Sequence, residues 1–114
     1  MIRTFPDDAG ALWRELVGTT GMALIFKHSP CCGVSASAQS NVLGLPALHP
    51  ELPVWQVDVL GQCDLSRRIA ADLGVRHESP QAILLRDGVP VWSVSHGGVN
   101  LRALIELVER ERGP

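Results

Sequence analysis

His28-Ser29-Pro30-Cys31-Cys32-Gly33-Val34-Ser35 is the stretch whose reading decides the fold. The apolar run Met22 to Phe26 comes before it and reads as a buried strand, apolar on both faces and so central in a sheet. Ser35 to Leu43 follows and reads as a helix. A cysteine at a strand-to-helix junction meets free backbone N–H groups and the positive end of a helix dipole. Both favour thiolate over thiol, and the thiolate is the nucleophile. Cys32-Gly33-Val34-Ser35 is a C-x-x-S, the redox C-x-x-C spacing with serine in the second slot. Two readings stand on these residues alone: one-cysteine thiol–disulfide chemistry, or a buried, inert cysteine in a loop.

Working outward, Asp7-Asp8 ahead of Ala9 to Val17 predicts a helix capped by an aspartate, with Leu12, Leu16 and Trp13 facing inward. Gly18 to Gly21 is a turn. Beyond the second helix, Leu45 to Pro53 holds three prolines and reads as a connector. Val54 to Val59 alternates and reads as a strand. Asp64 is the expected N-cap of a helix over Leu65 to Leu73, which Gly74 closes. Gln81 to Arg86 and Val89 to Ser95 form a hairpin about Asp87-Gly88. His96-Gly97-Gly98 breaks the chain, and Asn100 caps a last helix from Leu101 to about Arg112. The expected order is α-β-α-β-α-β-β-α. That is an α/β fold with a mixed central sheet and helices on both faces, its first two strands parallel, in one domain over residues 1–114.

Composition narrows the chemistry. The chain has 114 residues, 46% hydrophobic and 19% charged, with net charge −2. It is long enough for its own core, and no face is basic enough to predict a nucleic-acid partner. No apolar run approaches the roughly 20 residues of a spanning helix. The acidic start Met1 to Asp8 does not resemble a signal peptide, so the expected setting is the cytoplasm. Three cysteines is an odd count that argues against a disulfide framework. Adjacent Cys31 and Cys32 lack the second ligand pair that a zinc site needs. No metal and no tightly bound cofactor are expected, and nothing suggests an obligate interface, so the expected state is a monomer.

The element order resembles the thioredoxin fold. Phe26-Lys27-His28-Ser29, Ser35-Ala36, Val57-Asp58-Val59, Arg76 to Gln81, Val91-Trp92 and Ser95-His96 resemble the YtxJ-like family of monothiol bacilliredoxins, from about Met22 to about Leu107. The resemblance implies a thiol–disulfide oxidoreductase that takes bacillithiol, a low-molecular-weight thiol, off client protein cysteines. Bacillithiol is then a cosubstrate, and the bacillithiolated proteins are the partners. The family loop commonly reads Thr-Cys-Pro-Ile-Ser. Its cysteine falls on Cys32 and its serine on Ser35, while Cys31 replaces the threonine and Gly33 the proline. Pro80 becomes the cis-proline that faces the active cysteine, presenting Ser79 as a strand-like edge to substrate.

Each site residue also has a plainer reading. The Ser35 hydroxyl either donates to the thiolate or only satisfies a backbone N–H. Cys31 is a bystander, a second nucleophile or a resolving thiol. A disulfide to Cys32 is strained, because adjacent Cα atoms sit about 3.8 Å apart. Cys63 is a semi-buried small residue or a resolving cysteine reached by loop movement. His28, His77 and His96 are titratable near neutrality but read first as structural, and Trp55 and Trp92 as packing. Two rival functions follow: a dithiol reductase using Cys31 or Cys63, and a non-enzymatic module binding an iron–sulfur cluster or a thiol.

Overall fold

A computed structural model describes residues 2–30 and 33–112. Cys31 and Cys32 lie outside the described residues. The elements are β1 (Ile2–Thr4), α1 (Gly10–Val17), β2 (Met22–His28), α2 (Gly33–Leu43), α3 (Leu45–Leu48), β3 (Val54–Asp58), α4 (Cys63–Leu73), β4 (Gln81–Arg86), β5 (Val89–Ser95), a 3-10 turn (His96–Gly98) and α5 (Leu101–Arg112). One sheet runs in the order β1-β3-β2-β4-β5. β1, β3 and β2 are parallel, and β4 and β5 are antiparallel additions. β2 is therefore paired on both edges, which explains its unbroken apolar run.

The two faces carry separate cores. Leu24, Phe26, Val54 and Leu84 meet Ala38 and Val42 of α2 and Leu104 and Val108 of α5. Ile25, Val57, Ile83 and Leu85 meet Trp13 of α1 and Ile69 of α4. Alternate residues of β2 thus supply both layers. The Trp13 indole N–H donates to Asp72 Oδ2 at 2.8 Å, joining α1 to α4.

Several boundaries differ from expectation. Neither Asp7 nor Asp8 caps α1: the N-cap is Ala9, without a side-chain bond. Phe5 and Ala9 are buried, which anchors the chain there and leaves both aspartates outside. α4 starts at Cys63 with Gln62 as N-cap, so Asp64 lies in the first turn. The preceding turn is tied down early, by the Leu60 and Gly61 N–H groups donating to Asp58 Oδ1 and by Gln62 N–H donating to the Asp58 carbonyl. The connector holds a short helix, α3, around buried Leu45 with a proline at its start. β1 went unread because three residues carry no period.

The expected punctuation is present elsewhere. Asp87 and Gly88 both have positive φ, 53° and 80°, as a tight hairpin demands. Gly74 closes α4 at φ 65°. Asn100 Oδ1 accepts the Ala103 N–H at 2.9 Å and caps α5. Among the described residues, no helix is long and apolar enough to cross a membrane.

Candidate active site

The C-terminal end of β2, the start of α2, the start of β4 and the start of α5 meet at one end of the sheet. β2 ends in His28, paired with Asp58 of β3. On the other side β2 pairs with β4 as far as Lys27 opposite Gln81, next to Pro80. Cys32 and Cys31, expected from the sequence as the nucleophile and an accessory thiol, fall between the end of β2 and the start of α2, outside the described residues.

Ser35 lies in the first turn of α2 and is buried. Its Oγ accepts the Ser29 N–H at 2.8 Å and sits 2.9 Å from His28 Nδ1. The backbone N–H it satisfies belongs to the loop before the helix, not to the helix itself. His28 is buried, its ring 5.7 Å from that of Phe26. The pairing of His28 with Ser35 has no local signal in the sequence, because a spacing of seven is closed only by the strand-to-helix reversal.

The Ser79–Pro80 peptide is cis, as the resemblance implied. The Pro80 carbonyl accepts the His96 N–H at 2.9 Å, which ties the start of β4 to the 3-10 turn. Ser79 Oγ is buried and finds no partner among the described residues. A groove of about 410 Å³ opens beside these elements, lined by Gly33, Val34 and Ser37 of α2 and by His96 and Gly97 of the turn. Its floor is held by Asn41, whose Oδ1 accepts the Leu101 N–H at 2.9 Å and whose Nδ2 donates to the Ser37 carbonyl. This satisfies an otherwise orphaned donor at the start of α5. The groove is one step from the expected binding pair, reached through His96.

Cys63 is exposed, not semi-buried. It opens α4, which packs on the opposite sheet face from α2. The first turn of a helix is only half covered, and its inward position here goes to Ser66.

A second polar cluster lies beneath the same end of the sheet, built from residues distant in sequence. Lys27 is wholly buried on the α4 face. Its Nζ donates to the Ser66 carbonyl at 3.1 Å and lies 3.1 Å from His77 Nδ1. Ser66 Oγ is 3.2 Å from the same nitrogen. Burial pushes the Lys27 pKa from 10.5 down to about 8. His77 is exposed as a residue, but its Nδ1 faces the protein. Lost solvation on that side, then the Lys27 and Arg67 charges, push its pKa down. Lys27 is the only lysine of the chain and ends an apolar run, which was the available signal.

The fold is shared with known proteins. A solved structure described as a candidate oxidoreductase with a thioredoxin fold matches with a TM-score of 0.81 at 26% identity, covering 92% of this chain and 91% of that one. Thioredoxin f2 of Chlamydomonas reinhardtii matches at 0.76 and 15% identity, covering 100% and 99%. A thioredoxin variant from Halobacterium salinarum matches at 0.73 and 23% identity, covering 96% and 88%. The fold is thioredoxin-like, that of a class built for thiol–disulfide redox chemistry. Residues 11–104 match the model of the monothiol bacilliredoxin BrxC, and the chain belongs to that family.

Proposed function

We propose that the protein is a monothiol thiol–disulfide oxidoreductase that removes bacillithiol from mixed disulfides on protein cysteines, with Cys32 as nucleophile. The observation that carries this reading is the monothiol bacilliredoxin match across residues 11–104. Two features support it. Ser35, in the slot of a second C-x-x-C cysteine, is buried and hydrogen-bonded in the first turn of α2. Cys63 opens a helix on the opposite sheet face, a poor place for a resolving thiol.

The Cys32 thiolate attacks the bacillithiol sulfur of a client mixed disulfide. That S–S bond breaks, and the client thiolate leaves and takes a proton from water. Bacillithiol stays on Cys32 as a new mixed disulfide. The thiolate of a second, reduced bacillithiol attacks it, releasing Cys32 thiolate and bacillithiol disulfide. The groove beside α2 offers room for the carried thiol, and Ser79 with Pro80 offers an edge for the client chain. No tightly bound cofactor or metal enters this cycle. A monomer in the reducing cytoplasm suffices for it.

Mass spectrometry after mixing with bacillithiol disulfide tests the reading. The expected product is one bacillithiol adduct on Cys32, removed by reduced bacillithiol, absent in Cys32→Ala and retained in Cys63→Ser. Loss of two protons without an adduct points instead to a dithiol enzyme. No reaction at any cysteine overturns the enzymatic assignment.

A further inference from the structure

Residues 77–79 lead into Pro80, and their backbone is left open. Among the described residues, no N–H or carbonyl of His77, Glu78 or Ser79 takes part in a hydrogen bond. An open backbone suits pairing with an extended chain, but it does nothing to hold the segment in place. The flanks are fixed. The Arg76 carbonyl accepts Gln81 Nε2 at 3.0 Å, and the Pro80 carbonyl accepts the His96 N–H at 2.9 Å. Between them, Ser79 Oγ has no partner among the described residues. Glu78 Oε2 is 3.7 Å from His96 Nε2 with both side chains partly in water, a pairing worth little. The remaining side chain is that of His77, whose Nδ1 lies 3.1 Å from Lys27 Nζ.

Lys27 is 0% exposed, yet among the described residues no carboxylate pairs with its ammonium. Its acceptors are the Ser66 carbonyl, at 3.1 Å, and His77 Nδ1. Burying an unpaired charge opposes folding, and an apolar side chain would fill the same space without that cost. What an apolar side chain lacks is a donor. An ammonium only donates, so Nδ1 must be bare and the ring neutral, with its hydrogen on Nε2. Both partners hold those forms at pH 7. Lys27, lowered to about 8, still carries its proton. Lost solvation at the His77 ring, then the Lys27 and Arg67 charges, keep that ring from taking one. The Ser66 hydroxyl, 3.2 Å from the same nitrogen, is uncharged and the weaker donor.

We infer that Lys27 is a positioning residue for client recognition: through its bond to His77 Nδ1 it fixes the open backbone of residues 77–79 for an extended peptide ahead of Pro80. The inference rests on the proposed client edge at Ser79 and Pro80, and it needs no contact between Lys27 and sulfur. A segment ordered beforehand binds a chain at lower entropic cost, so the effect belongs to peptide binding and not to the thiol.

The test is the rate at which Cys32 takes up bacillithiol at pH 7, read by mass spectrometry, from two donors. One is a peptide carrying a single bacillithiolated cysteine; the other is bacillithiol disulfide, which has no peptide chain. The proteins compared are wild type, Lys27→Met, His77→Ala, His77→Asn and the Lys27→Met/His77→Ala double variant. Lys27→Met should raise the half-saturating peptide concentration about tenfold while the plateau rate moves by less than about twofold, the lower end of what a hydrogen bond to a charged group confers. The ratio of peptide to disulfide rate constants should fall by the same factor. His77→Ala should reproduce both changes. The double variant should add less than about twofold to either single loss, because the two residues act through one bond. His77→Asn, with an amide oxygen at the Nδ1 position, should recover most of the loss. Equal slowing with both donors, independent losses in the double variant, no recovery in His77→Asn, or an unchanged half-saturation in Lys27→Met overturns the proposal. His77 sits at the surface, so His77→Ala and His77→Asn decide the matter should Lys27→Met fail to fold. A wild type that reacts with bacillithiol disulfide but does not saturate with peptide overturns this inference alone. No adduct on Cys32 from either donor overturns the nucleophile assignment and this inference together.

Discussion

Lys27→Met should change how stability depends on alkaline pH. The chain has one lysine and no tyrosine, so few groups titrate above pH 8. The folded protein releases the Lys27 proton near pH 8, whereas a free lysine holds it to 10.5. Below pH 8 both states carry the proton, and above 10.5 neither does. Between the two, the unfolded chain binds more protons, so folding becomes more favourable as pH rises. A fall from 10.5 to about 8 corresponds to roughly 3 kcal/mol, at about 1.4 kcal/mol per tenfold change in proton affinity. Methionine keeps the length of the side chain and removes the charge. The Ser66 carbonyl loses a donor, a cost of about 1 kcal/mol that is the same at every pH. Cysteine ionisation is common to both proteins and largely cancels. His77, whose pKa is lowered, acts only below its ordinary range, on the acid side of this window. Urea unfolding at pH 7 and pH 10.5 is the assay. The stability difference, wild type minus variant, should move by about 3 kcal/mol in favour of wild type. Parallel pH profiles would refute the buried, charge-strained lysine.

Two further substitutions test the frame of the site. Gly88→Ala places a Cβ at φ 80° against the Val17 carbonyl, which is backbone and cannot swing aside. Left-handed strain and that clash together should cost more than about 2 kcal/mol in chemical denaturation, and a loss below about 0.5 kcal/mol would contradict the hairpin geometry. Asn100→Ala removes the α5 cap and should cost about 1 kcal/mol, with faster amide hydrogen exchange confined to the first turn of α5. Uniform exchange across the helix would argue against that role.

The features of this chain that its sequence makes legible are short-range. Met22 to Phe26 is too apolar to lie anywhere but between two layers. Asp87-Gly88 permits the two positive φ angles of a tight hairpin, Gly74 a helix stop, and Asn100 a helix start. Each is a local steric or hydrogen-bond rule, satisfied within a few residues, so the order of the main elements and the C-x-x-S junction were legible. Tertiary structure decided what depends on distant partners. β1 exists because three residues find a parallel edge on β3. α4 begins early because Asp58 and Gln62 close the turn before it. The hydroxyl of Ser35 belongs to His28 and Ser29 because β2 and α2 fold back on each other. Lys27 is held under the site by a helix carbonyl 39 residues away. A lone lysine after an apolar run looks like the exposed end of a strand. Only the packing of α4 across that end takes it out of water, and with the water goes most of its hold on a proton.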